Sequence, residues 1–219
     1  MHLKLLEIVI EIFKYLMGTA EKGYIPNSEM PHPTLPILPV ARSGDAVSRP
    51  DKLLIKRTLY QMTVTDNAAL QAKNRVLTEA QVLKLTQVDQ LMCQVEAILG
   101  QEIDAHSGYR SPELNGATPG SAKKSQHMLC EACDWSIKGA PGTAESVEVP
   151  FQKLWASAKE GKLKFGQLIV ERANRSYGVV YWIHISLGAP YRDPARCGEV
   201  LRMVPDADGK PVYTVIGRV

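Results

Sequence analysis

The chain has 219 residues, 45% hydrophobic and 22% charged. These are the proportions of an ordinary folded protein, and they exclude a disordered or fibrous one. Twenty-six basic against 23 acidic residues give a formal charge of +3, with no basic stripe, so the charge pattern does not point to nucleic acid. Four cysteines, Cys93, Cys130, Cys133 and Cys197, are too few and too irregularly spaced for a disulfide framework and read as reduced thiols.

From Leu3 to Met17 eleven of fifteen residues are apolar, but Lys4, Glu7, Glu11 and Lys14 interrupt every run. The spacing places those charges on one narrow face and predicts an amphipathic helix over residues 1–22. Three partners suit its apolar surface: the protein's own core, a second copy, or a membrane surface. No small-residue cleavage site follows, which reads as cytoplasmic synthesis without a Sec signal; a protein released later to act on a cell wall, or a phage-associated one, has the same signature. Six prolines between Gly23 and Pro50 predict an extended linker or wrapping arm over 23–50, with His32 solvated. Leu53–Asn67 fits a short helix or a strand.

Patterning sharpens at Thr78. TEAQ is a capping box, Val82, Leu85, Val88, Leu91, Met92, Val95 and Leu99 recur at helical spacing, and Gly100 is a stop. A core helix is expected there. EIDAHSGYR reads as a strand entering a turn, SPELN as a helix start with Ser111 as cap and Pro112 at the first position, and GATPGSAKKS as a glycine-rich loop. ACDWSI alternates as a half-buried strand. Pro150–Glu160 reads as a helix, Phe165–Glu171 and Val179–Leu187 as a hairpin joined by the polar turn RANRSYG, and VLRMV and VYTVI as a second hairpin around Asp208-Gly209. Helices outside a small, mostly antiparallel sheet make an α+β domain, placed at 51–219.

Two imidazoles and a carboxylate, His127, Asp134 and His184, form a three-ligand set suited to zinc, with a fourth position for water. The competing reading makes His184, flanked by isoleucines, a core residue. The stretches SGYRSPELN, SQHMLCEACD and WIH resemble, in order and spacing, the SGYRSPxxN, SxHxxGxAxD and WxH pattern of the zinc D-Ala-D-Ala carboxypeptidase and L-alanyl-D-glutamate endopeptidase family. The resemblance covers about residues 78–188, and the tail hairpin is similar to the family's phage-type branch. It implies a hedgehog/DD-peptidase-like fold, a Zn2+ cofactor, and a peptidoglycan stem peptide as partner in amide hydrolysis. It further implies His127, Asp134 and His184 as metal ligands, Arg110 as the guanidinium for substrate carboxylate or oxyanion, and Ser125 as a polar group near substrate. Arg110 has a second reading as a turn residue paired with Glu113.

The sequence departs from that pattern twice. Cys130 replaces a glycine, and with Cys133 it forms a C-x-x-C that reads either as a ligand or redox pair or as two buried thiols. At the position three residues before the last histidine, where better-known branches carry an acidic base, stands Tyr181, whose ordinary pKa near 10 makes it a poor base. Glu171 is the replacement, provided strand register turns it to the metal; otherwise it pairs with Arg172 or Arg175. The departures leave a second reading open, a non-catalytic zinc-containing module that binds cell wall or builds a phage or envelope structure.

Overall fold

The computed structural model describes residues 46–47 and 52–219. The expected helix over 1–22, and the 23–50 arm apart from Ala46–Val47, lie outside the described residues. Strands are β1 (Ala46–Val47), β2 (Leu77–Thr78), β3 (Ile103–Ser107), β4 (Ala132–Ile137), β5 (Gln167–Arg175), β6 (Gly178–Ser186), β7 (Glu199–Pro205) and β8 (Pro211–Arg218). Helices are α1 (Leu59–Met62), α2 (Ala68–Gln71), α3 (Glu79–Leu99), α4 (Pro112–Ala117) and α5 (Ala144–Lys159). β1 pairs with β2. The other six strands form one sheet in the order β3-β4-β6-β5-β7-β8, antiparallel except where β5 meets β7. This is the expected α+β class.

The helix α3 begins where Thr78 accepts from the Gln81 amide while the Gln81 side chain returns to Thr78, and ends at Gly100 in the left-handed region, φ 71°. All seven of its expected core positions are buried. They pack with Val147, Phe151 and Leu154 of α5 against Cys133, Trp135, Leu168, Val170, Ile183 and Ile185 of the sheet. Period-two alternation therefore sends Asp134, Ile169, Glu171, Trp182 and His184 to the other face. One sheet face makes the core and the other carries the polar site.

Three expectations change in detail. First, β4 is not half-buried: its first four residues are buried, because β3 and β6 flank it, helices cover one face, and the polar site occupies the other. Second, α5 starts at a Thr143 cap and holds Pro150 inside it. Proline usually marks a first turn; here its missing donor is offset by burial of Pro150, Phe151 and Leu154 on the core side. Third, the RANRSYG segment is mostly strand, since Arg172–Arg175 pair with Gly178–Tyr181 and only Ser176 and Tyr177 turn the chain. An exposed ribbon loses nothing by carrying polar side chains. The Leu53–Asn67 stretch resolves as the single-turn helix α1, entered from an isolated Leu53–Thr58 bridge.

A buried carboxylate ties this strap to the core. Asp89 of α3, fully buried, accepts from the backbone amides of Ile55, Lys56 and Arg57 at 2.9, 2.7 and 2.9 Å. Its other oxygen takes the Arg57 guanidinium at 2.8 Å. The strap in turn supports the SGYR turn: the Met62 carbonyl accepts from Gly108 and Tyr109 amides, while the fully buried Asn74 amide donates to the Thr63 and Tyr109 carbonyls and accepts from the Ser111 amide. A Cβ at Gly108 would lie 2.8 Å from the Met62 carbonyl oxygen, so only glycine admits this approach. Removing the acid leaves three backbone amides without this acceptor and takes from buried Arg57 one of its two carboxylate partners, the other being Glu96 at 2.8 Å. Asp89→Ala is expected to destabilise the fold by about 3–5 kcal/mol, read from chemical denaturation; a loss under ~1 kcal/mol would show the clamp to be incidental.

Candidate metal centre

Each of the three expected ligands is placed by a different element. His127 sits in a single 3-10 turn, Gln126–Leu129, whose first amides are capped by Ser125: the Ser125 hydroxyl accepts from the His127 amide at 3.3 Å. Asp134 is in mid-β4 and His184 directly across from it on β6. The turn bends back onto the sheet through Cys130, the only non-glycine residue with positive φ among the described residues, φ 58°. This is the position at which the family pattern has glycine. Cysteine keeps the left-handed geometry at a steric cost of about 1–2 kcal/mol, offset by burial of its side chain in the core.

The three side chains converge. His127 Nε2 and His184 Nδ1 lie 3.2 Å apart, and Asp134 Oδ1 is 2.9 Å from the latter and 3.2 Å from the former. A tetrahedral zinc ion with ligand bonds of 2.0–2.1 Å holds its donor atoms about 3.3 Å apart, so the triangle has the size the ion requires. Proton bookkeeping points the same way. His127 Nδ1 faces the Gly108 carbonyl at 3.2 Å, an acceptor only, and must carry the proton; its Nε2 is then a lone pair. His184 Nε2 faces Gln126 Oε1 at 3.2 Å, an acceptor that favours the proton on Nε2 and a lone pair on Nδ1. With both imidazole protons outward, two lone pairs and a carboxylate oxygen face one another in a buried site; a cation stabilises that arrangement, and in its place a proton on an inward nitrogen bridges to Asp134.

Electrostatics fit neutral imidazole and ionised carboxylate. Burial depresses the His127 pKa to about 4, against the pull of Asp134. Burial opposes ionisation of Asp134, but the two imidazoles outweigh it and hold its carboxyl well below the ordinary value. Its second oxygen meets Arg110 at 3.4 Å. Arg110 is therefore turned to the site rather than to Glu113, and its buried Nε has no partner among the described residues.

Register brings Glu171 opposite Trp182, with Ile169 opposite His184, so Glu171 shares the metal face, one residue pair from the ligands. Burial, and after it the Asp134 charge, raise its carboxyl to about 7. The Trp182 indole N–H lies close enough to oppose that rise and makes no hydrogen bond among the described residues. Tyr181, an odd number of residues from His184, packs on the helix side instead. Glu171 pairs with neither Arg172 nor Arg175; Arg172 donates to Asn174. The thiols of the C-x-x-C are also away from the metal face: Cys133 alternates with Asp134 into the core, and burial raises the Cys130 thiol to about 12 and that of Cys133 further. Among the described residues, His127, Asp134 and His184 are the one group of His, Cys, Asp or Glu able to hold a metal ion.

Gln126 and Tyr213 carry no motif signal of their own, while Gly108 and Trp182 stand inside the SGYR and WIH stretches with no role assigned to them there. Trp182 was legible as the residue two before His184 on one strand. Tyr213 reaches the same face by a chain of register, Glu171 to Met203 to Tyr213, and the Glu171 and Asp134 charges add to burial in raising its phenol.

Residues 56–157 match the family model described as Peptidase M15. The matched segment starts upstream of residue 78 and so includes the Asp89-clamped strap. It contains Arg110, Ser125, His127 and Asp134 and ends before Glu171 and His184. The match supports a metallopeptidase-type domain. No curated protein and no solved structure matches the chain.

The Glu171 environment has a measurable consequence in metal-free protein. Its folded pKa, about 7, exceeds the ordinary 4.5, so folding favours the protonated acid. The resulting penalty is absent below pH ~4.5, grows as pH rises and is complete above ~7, with an upper bound of about 3 kcal/mol. In chelator, Glu171→Gln is expected to melt several degrees above wild type at pH 8, with the gap much reduced at pH 4.5. Equal gaps at both values would mean the carboxyl ionises freely.

Proposed function

We propose that this protein is a zinc-dependent peptidase that hydrolyses an amide bond in peptidoglycan stem peptides, as a D,D-carboxypeptidase or an endolysin-type endopeptidase of a phage-type branch. The observation that carries the reading is the lone-pair triangle of His127, Asp134 and His184 with a half-buried acid, Glu171, beside it on the same sheet face. A zinc ion held there supplies Lewis acidity to a carbonyl oxygen and acidifies water to near neutrality.

The chain's own groups do the remainder. Glu171, with a carboxyl poised near pH 7, accepts a proton from the attacking water and passes it to the leaving amine nitrogen as the C–N bond breaks. Arg110 spends one terminal nitrogen on Asp134 and keeps its unpartnered Nε for the oxyanion or a substrate carboxylate. Ser125 acts on His127 through its backbone cap. Ile169, Leu201 and Met203, with Trp182 packed on them, and the exposed Tyr213 continue the face as an apolar floor along which a peptide chain can lie.

The test is a muropeptide digest with wild type and Glu171→Gln, each assayed for bound zinc. Wild type is expected to bind one zinc per chain and release an amine product. Glu171→Gln is expected to keep the zinc and lose turnover by about 10²–10⁴-fold. A zinc-loaded wild type that binds muropeptide without cleaving it would overturn the enzymatic reading in favour of a cell-wall-binding module.

A further inference from the structure

One residue at the centre has a role that no motif assigns. Gln126 precedes His127 in the same 3-10 turn, yet its side chain serves the other histidine. Its Oε1 faces His184 Nε2 at 3.2 Å, and its Nε2 donates to the Ser186 hydroxyl at 3.0 Å. Ser186 is fully buried and also accepts from the Gln167 amide at 2.9 Å. Gly166 makes room for this hydroxyl, since a Cβ there would lie 2.8 Å from Ser186 Oγ. The Gln126 backbone is held as well, its carbonyl accepting from the Glu131 amide. Amide, hydroxyl and strand backbone therefore form a chain in which each member fixes the orientation of the next.

We infer that Gln126 is a positioning residue that sets the tautomer and ring orientation of His184, holding the proton on Nε2 so that Nδ1 is free for the metal. The inference rests on the zinc reading above. A neutral imidazole has two tautomers, and in the metal-free state the Asp134 carboxylate 2.9 Å from Nδ1 favours the wrong one, with the proton on Nδ1. Gln126 opposes it by offering an acceptor to Nε2, as the Gly108 carbonyl does for His127. One short turn thus supplies the first ligand and the orienting partner of the last. A backbone carbonyl cannot be removed by substitution, but Gln126 can, which makes its contribution separable.

The test is titration of metal-free protein with zinc alone, in competition with a chromophoric chelator, for wild type, Gln126→Ala, Gln126→Glu and Ser186→Ala. Outer partners of metal histidines are typically worth 10–100-fold in affinity. Gln126→Ala is expected to lose about that much, Gln126→Glu, which keeps an acceptor, to stay within about threefold of wild type or bind more tightly, and Ser186→Ala to lose a smaller factor. Imidazole 15N resonances of the metal-free forms supply a readout that packing alone does not move: a larger share of the Nε2–H tautomer of His184 in wild type and Gln126→Glu than in Gln126→Ala. If Gln126→Ala fails to fold, the Gln126→Glu and Ser186→Ala affinities decide. Wild-type affinity in Gln126→Ala, or equal losses in the alanine and glutamate variants, would overturn the inference while leaving the metal reading intact. A wild type that does not bind zinc would overturn both.

Discussion

Lone pairs do not crowd together in a buried site without compensation. His127 Nε2, His184 Nδ1 and Asp134 Oδ1 lie within 3.2 Å of one another, and the outward nitrogen of each imidazole is committed to an acceptor. Much of the surrounding architecture serves this convergence. Asp89 clamps the strap, the strap supports the SGYR turn, and the Gly108 carbonyl in that turn accepts a hydrogen bond from His127 Nδ1–H. Ser125 caps the turn that carries His127, and β4 and β6 pair so that Asp134 and His184 stand side by side.

The sheet divides the work between its faces. Helices α3 and α5 cover one face and bury the aliphatic and aromatic members of the alternation. The opposite face is left to charge, hydrogen bonding and a few large side chains. This division explains why Tyr181 and Glu171 differ in fate. Three residues from His184 along one strand is the wrong parity for the metal face, whereas the cross-strand register of β5 and β6 delivers an acid to it. It also separates the His127, Asp134 and His184 group from the thiols of Cys130 and Cys133, which lie in the core.

What the sequence made legible follows from the range of the interactions concerned. The α3 limits were readable because capping box and glycine stop are local. The three candidate ligands were readable as a set because their residue types and order form words, and the fold brings them together. Glu171 was readable only as a conditional, because facing the metal depends on strand register, a long-range property set by packing. Pro150 misled, because a local rule was overridden by core burial, and the polar RANRSYG stretch misled because exposed strands need no hydrophobic pattern. Asp89 and Asn74 were invisible: one acid or amide on a helix or turn has no signature until its backbone partners are brought to it. Gln126 lay beside a ligand in sequence, but its partner is a histidine on β6 that only the fold brings near.

On the proposed reading, two imidazoles and one aspartate, without sulfur, hold a single zinc ion. X-ray absorption at the zinc edge on protein loaded with one equivalent reads the coordination shell directly. Nitrogen and oxygen neighbours alone are expected at about 2.0–2.1 Å, with imidazole outer-shell scattering from two rings. A sulfur neighbour at about 2.3 Å, or a shell with no imidazole, would contradict it.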